Sequence, residues 1–293
     1  MQFLTIQSPA KLNLHLRILR RRADGYHDLV TIFQKISLGD TIRIQKTRND
    51  FRLTTNCPGL ETGENNLITK AYRLLQTKYP GLGGVSVRLH KRIPLGAGLG
   101  GGSSNAAHFL LGMKKLFNLR ISKPELIRLG TRLGADVPFF LLEKPRAIAW
   151  GKGEKLLPLE TRSRLWFLLL VTRQGLSTKK VYQNLRERVP PLALTKEKRI
   201  AIILCSFFET KRIREAVGLA ENDLETSAFS LRPSIPKSIK ALRTAGASFV
   251  LMSGSGSTVF AVSANRKEIV ALAKNVKLRA LSYRKLLCHS LNN

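Results

Sequence analysis

Between Pro94 and Ser104 the chain reads Pro-Leu-Gly-Ala-Gly-Leu-Gly-Gly-Gly-Ser-Ser, with five glycines directly before a run of helical spacing. That run, Asn105 to Phe117, places Ala106, Leu110, Met113 and Phe117 on one stripe. A glycine-rich segment that opens a helix is an anion site. Its amides point outward, the helix dipole adds partial positive charge, and absent side chains let a phosphate reach the main chain. The segment lacks the terminal Gly-Lys-Ser/Thr of a P-loop and the spacing of a dinucleotide fingerprint. So many glycines beside a strong helix favour phosphate binding over mere turning.

The chain around this segment alternates between the two periodicities. Leu12, Leu14, Leu16 and Ile18 alternate as a strand, with Lys11 and Asn13 on the opposite face. Short strands are predicted over Thr41–Gln45, Phe51–Thr54 and Val85–Leu89, and a helix over Asn65–Lys78. Ser122, Pro124, Glu125 and Gly134 carry the start and stop of another helix. Beyond it lies Gly134-Ala-Asp-Val-Pro138, where Pro138 is expected to turn the chain at Val137 and aim Asp136 outward. Pro145 to Leu159 reads as a turn-rich boundary. Strands are then expected at Leu165–Val171, Ser248–Met252, Thr258–Val262 and Ala280–Leu287. Helices are expected near Thr178–Arg188, Lys196–Phe208, Ser234–Ala245 and Arg266–Asn275. The irregular mixture predicts an α+β protein, divided into residues 1–158 and 159–293.

Composition narrows the partners. Fifty Lys and Arg face nineteen Asp and Glu, a net charge of +31, which favours anionic ligands. The basic residues are dispersed, without zinc-finger spacing or an aromatic-rich basic motif, so no specific nucleic acid is expected. The longest apolar run, Leu165 to Val171, is too short to span a bilayer, so no membrane is expected either. Three scattered cysteines and no secretory leader predict a reduced, cytoplasmic protein.

Taken one at a time, Asp136 fits a turn aspartate and Lys11 with Asn13 a solvent-facing pair. Tyr26 with His27 fits a packed loop end, and Ser253-Gly-Ser-Gly256 a tight connection or a second anion cradle. Their order is more specific. Pro9-Ala-Lys-Leu-Asn13, Asp24-Gly-Tyr-His27, Glu64-Asn-Asn-Leu67, the glycine segment, Leu133-Gly-Ala-Asp-Val-Pro138, Asn222-Asp-Leu224 and Ser253-Gly-Ser-Gly256 together resemble the GHMP kinase superfamily over nearly the whole chain.

The resemblance implies an S5-like N-terminal domain, a ferredoxin-like C-terminal domain and a site in the cleft between them. It implies that Pro94, Leu95, Gly96, Ala97, Gly98, Leu99, Gly100, Gly101, Gly102, Ser103 and Ser104 wrap the ATP triphosphate, with Asn65 and Lys91 near the adenine or ribose. It implies Asp136 as the base toward an alcohol, with Lys11 favouring the developing alkoxide. Tyr26, His27 and Tyr182 would hold the cytosine of a cytidylyl substrate. Asn13, Ser253, Gly254, Ser255 and Gly256 would contact the rest of it. Mg²⁺ would travel with ATP, with no protein metal ligand assigned. The expected assembly is a monomer or weak homodimer. Other small-molecule kinases of the superfamily (for homoserine, mevalonate or a sugar) and a basic nucleic-acid-binding protein on the same scaffold are the competing readings.

Overall fold

A computed structural model describes residues 3–48, 50–172, 175–185, 193–277 and 283–293. The chain forms two compact units that alternate along the sequence. Met1–Ala10, Leu38–Ile93 and Gly100–Glu143 make the first; Lys11–Ser37, Pro94–Leu99 and Lys144–Asn293 make the second.

In the first unit, the later part of β2 (His27–Lys46) pairs antiparallel with β4 (Val85–His90), which pairs parallel with β3 (Phe51–Thr55). Helix α1 (Leu67–Lys78) starts at Asn66, whose side chain accepts from Ile68 N. Helix α2 (Gly101–Leu116) buries Ala106, Phe109, Leu110 and Met113. It lies close on the strands: a methyl added at Gly112 would stand 2.6 Å from both Ile44 and Ile6 side chains. Helix α3 (Lys123–Leu133) has the expected cap, Ser122 Oγ accepting from Glu125 N, and ends at Gly134.

The chain does not turn at Val137 as Pro138 suggested. Val137–Leu141 form a short helix, α4, with Pro138 in its first turn, where a missing N–H costs nothing. The reversal lies one step earlier, at the Gly134-Ala-Asp136 link, with Val137 N donating to Gly134 O.

In the second unit, the early part of β2 pairs with β5 (Arg146–Gly151), which pairs with β6 (Lys155–Leu159). The stretch read as a turn-rich boundary is therefore a hairpin. Only Lys152-Gly-Glu154 turns, and Pro158 is tolerated because β6 is an edge strand. A second, antiparallel sheet has the order β10 (Tyr283–His289), β7 (Trp166–Thr172), β9 (Val259–Ser263), β8 (Phe249–Met252). Leu168, Leu170, Val250, Met252, Val259 and Ala261 form its buried face. Ile235, Ile239 and Leu242 of α9 (Ser234–Thr244) cover it with Ile269 and Leu272 of α10 (Arg266–Asn275).

β1 (Phe3–Arg21) starts in the first unit and continues in the second. Helices α5 (Thr178–Gln183), α6 (Leu194–Glu209), α7 (Ile213–Ala216) and α8 (Glu225–Leu231) complete the described elements. The ends expected for α5, at Arg188, and for the start of the last strand, at Ala280, lie outside the described residues. Among the described residues no helix is long and apolar enough to cross a membrane.

Candidate active site

The glycine segment divides between the units. Its trailing part opens α2. Gly100 caps the helix with φ +68°, a left-handed backbone that glycine adopts without strain, and no side chain caps the amides that follow. Gly102 is exposed and Ser103 half-buried, and the first turn carries no acidic side chain. An anion is therefore the natural partner for these donors. The Gly134–Asp136 link runs beside them: a methyl added at Gly134 would stand 3.9 Å from Ser103 Oγ. Half-buried Asp136 sits at the start of α4, and its side chain makes no capping bond there.

Beneath the first turn lies a buried polar network that sequence reasoning missed. Asp40 is fully buried and accepts from Lys91 Nζ at 2.5 Å and from Asn105 Nδ2 at 2.9 Å. Lys91 Nζ also donates to Asn105 Oδ1 at 3.1 Å. Lys91, expected beside the adenine or ribose, thus has its ammonium engaged inside the first unit. Asn65, expected with it, is exposed and donates to Glu61; its neighbour Asn66 caps α1. Leu67, opening α1, would contact a methyl at Gly102 at 3.6 Å.

The leading part, Pro94–Leu99, belongs to the second unit, where Leu95 is an exposed apolar side chain. Four successive carbonyls accept hydrogen bonds: Gly96 O from Leu176 N, Ala97 O from Thr258 N, Gly98 O from Ser253 Oγ, and Leu99 O from Lys11 N. Gly98, at φ +74°, tolerates nothing larger, because a methyl there would stand 2.2 Å from Ser253 O.

The Ser253–Ser257 turn is packed just as closely. Ser253 Oγ accepts from Asn13 N, Ser255 shares a hydrogen bond with Thr178, and Ser257 with Thr172. The hydroxyls expected on the substrate are thus engaged by protein. Asn222 holds the turn from behind, its Nδ2 donating to Met252 O and Gly254 O, both at 2.8 Å. Asn222 stood in a quoted motif without a role; the signal was there, the purpose was not. Lys11 Nζ donates to Asn13 Oδ1 at 2.6 Å and lies 5.2 Å from the Phe33 ring centroid. Asn13 Nδ2 donates in turn to Thr31 Oγ1. A methyl at Gly254 would stand 2.9 Å from Asn13 Oδ1.

The aromatic group also lies in the second unit. His27 and Tyr182 have ring centroids 5.3 Å apart, tilted by 35°. A base sandwiched between two rings needs two contact spacings, roughly 7 Å in all. The pair as it stands, at 5.3 Å, leaves no such gap. Burial, helped by the charge of Arg21, holds the His27 imidazolium below its ordinary pKa and so favours the neutral ring. Tyr26 is 59% exposed, with Lys152 Nζ 4.1 Å from its ring centroid and that same ammonium 3.0 Å from Asp24 Oδ2.

Residues 66–144 match the GHMP kinases N terminal domain, and residues 208–280 the GHMP kinases C terminal domain. The chain is 42% identical to a 4-diphosphocytidyl-2-C-methyl-D-erythritol kinase of Syntrophus aciditrophicus over 264 residues, 89% of this chain and 90% of that one. The chain belongs to the GHMP kinase family. Among GHMP kinases of known structure, a crystal structure of 4-(cytidine 5'-diphospho)-2C-methyl-D-erythritol kinase superposes with a TM-score of 0.81 at 33% identity, over 99% of this chain and 100% of that one. A homoserine kinase from Cytophaga hutchinsonii superposes at 0.75 with 16% identity, over 100% and 96%. The homoserine kinase shares the GHMP fold and carries no argument about the acceptor alcohol.

Proposed function

We propose that this chain transfers the γ-phosphoryl group of ATP to the 2-hydroxyl of 4-diphosphocytidyl-2-C-methyl-D-erythritol, in non-mevalonate isoprenoid precursor synthesis. The observation that carries this reading is the 42% identity, across nine-tenths of both chains, to a kinase of that name. The His27–Tyr182 pair supports it, since a neutral imidazole and a phenol ring suit a pyrimidine.

Phosphoryl transfer asks little covalent chemistry of a protein. It asks for an in-line hydroxyl, and for donors around the charge on the transferring group. In this reading the amides of Gly96 to Ser104 hold the triphosphate. The engaged carbonyls of Gly96 to Leu99 support that role, because they leave a backbone whose remaining polar groups are donors. Asp136 accepts the proton of the acceptor hydroxyl, and the Lys11 ammonium offsets the charge that develops on its oxygen. Asn13 orients Lys11. The cytosine parts His27 from Tyr182 and stacks against them, while Tyr26 covers the base from the turn between β1 and β2.

Mg²⁺ accompanies ATP in this reading and offsets phosphate charge when bound. Among the described residues no group of three or more His, Cys, Asp or Glu side chains could hold a metal. The Ser103 hydroxyl is an oxygen donor that would fit a hard cation carried mainly by phosphate and water.

The test is ADP release with ATP, Mg²⁺ and the diphosphocytidyl alcohol, set against homoserine, mevalonate and galactose. Turnover confined to the first acceptor is expected; a preference for any other removes the assignment. Asp136→Asn should lower kcat by roughly a thousandfold while nucleotide affinity is kept. Near-normal kcat in that variant would end the role of Asp136 as the base.

A further inference from the structure

We propose that Asp40 is a positioning residue for the nucleotide. It ties the two ends of the glycine segment to one buried carboxylate, and Lys91 serves the nucleotide through that tie rather than by touching it. The inference rests on the reading of the glycine segment as the phosphate site.

The geometry is specific to the segment's ends. Asp40 Oδ1 accepts from the backbone amides of Arg92, at 2.7 Å, and Ile93, at 2.8 Å, the two residues that lead into Pro94. Asp40 Oδ2 accepts from Lys91 Nζ and from Asn105 Nδ2. Asn105 stands one residue beyond the glycine segment, in the second turn of α2. The same Nδ2 reaches Ser8 Oγ at 2.9 Å, and Ser8 Oγ donates to Ser104 Oγ at 2.8 Å. Both the last residues before the segment and the first turns after it are therefore fastened to one anion.

A carboxylate with no exposure is costly unless fully paired. Here the four donors that pair it all come from the flanks of the phosphate segment. The amides of Arg92 and Ile93 fix where the chain departs. Asn105 and Ser104 fix the rotation of α2 about its axis, and with it the direction of the donors at Gly101, Gly102 and Ser103. Displacements near 1 Å in a phosphate cradle cost about a hundredfold in rate, so a clamp on both ends has a catalytic consequence without touching substrate.

The test uses the full chain and a fluorescent ADP analogue. Asp40→Asn keeps the shape and removes the charge. Nucleotide affinity should fall roughly tenfold or more, and amide exchange should quicken over residues 94–104. KM for the diphosphocytidyl alcohol should stay within about twofold, which a general loss of fold would not allow. Because a buried Lys91 without its counter-charge can prevent folding, Asn105→Ala is measured beside it. That variant releases only the trailing end, and a smaller loss of nucleotide affinity with the same selectivity is expected. Wild-type affinity and exchange in both variants overturn the tie. Failure of the wild-type chain to bind the analogue overturns instead the phosphate reading beneath it.

Discussion

The two halves of the glycine segment use the same residue type for opposite reasons. In Pro94–Leu99 the glycines let backbone meet backbone. Gly98 has a carbonyl oxygen where its side chain would be, and four consecutive carbonyls are bonded. In Gly100–Ser104 the glycines divide: Gly100 holds a left-handed φ, Gly101 packs so that a methyl would stand 2.9 Å from Ile93 Cγ2, and Gly102 leaves space empty. Gly102 is exposed, and a methyl there would meet only the Leu67 side chain, at ordinary contact distance. A run that looks uniform in sequence is thus a fixed base followed by an open rim. Glycine is required by neighbours at Gly98 and Gly101, while at Gly102 the proposed phosphate is what needs the space.

Substitutions should separate the two. The largest effect is expected for Gly98→Ala, which adds left-handed strain to a collision with Ser253 O. Activity should fall by roughly a hundredfold or more, together with a clear drop in Tm. A Gly98→Ala chain with normal Tm and rate would break the contrast.

Acid should act next, and on the second unit. His15 is buried, its Nδ1 accepts from Glu221 N beside Asn222, and burial followed by the Arg17 charge lowers its pKa to about 3. The unfolded imidazole binds a proton near pH 6.5, while the folded one resists until about pH 3. Between those values the unfolded state holds more protons, so stability falls as pH drops, by about 1.4 kcal/mol per pH unit at most. Above about pH 6.5 the penalty is absent. Asp223 and Glu225, whose pKa values burial raises, act in the opposite direction lower in the acid range. The difference between wild type and His15→Gln in denaturant melts from pH 7 to 4 therefore isolates His15. An equal slope for both would remove its part.

The smallest effect is the sharpest. Gly102→Ala places a better helix former where nothing collides, and should leave stability unchanged or raise it by up to about 1 kcal/mol. Nucleotide affinity should fall all the same, because a methyl now stands where phosphate approaches. Calorimetry and nucleotide titration on one sample decide it: unchanged affinity would mean that the rim is not the phosphate surface.

Much of this was readable in the sequence, for reasons that can be named. Periodicity located α1, α2, α3, α9 and α10, because each has one apolar stripe and most carry a side-chain cap. Short continuous apolar runs marked β7, β8 and β9, whose central residues are all buried. Periodicity failed on β2, where buried Thr31, Gln34, Lys35 and Asp40 interrupt the apolar pattern. Pro158 and the Gly151–Gly153 turn hid the β5–β6 hairpin behind residues that punctuate loops. Among the candidate site residues, Tyr182 came from the family resemblance alone, outside any motif, while motif order picked out Lys11, Asn13, His27 and Asp136. It passed over Asp40 because a lone aspartate after a glycine has no local signature. What marks Asp40 is four donors arriving from more than fifty positions away in sequence.

Along β1, Leu12, Leu14 and Leu16 alternate with Lys11, Asn13 and His15, and all six are buried. Sliding this strand by a single residue against its neighbours would thrust an ammonium, an amide and an imidazole into oil, while greasing the polar wall with leucines. Each face vetoes the error that the other would permit. The ribbon that carries the lysine is therefore pinned in place by its own two-sidedness, before any ligand arrives.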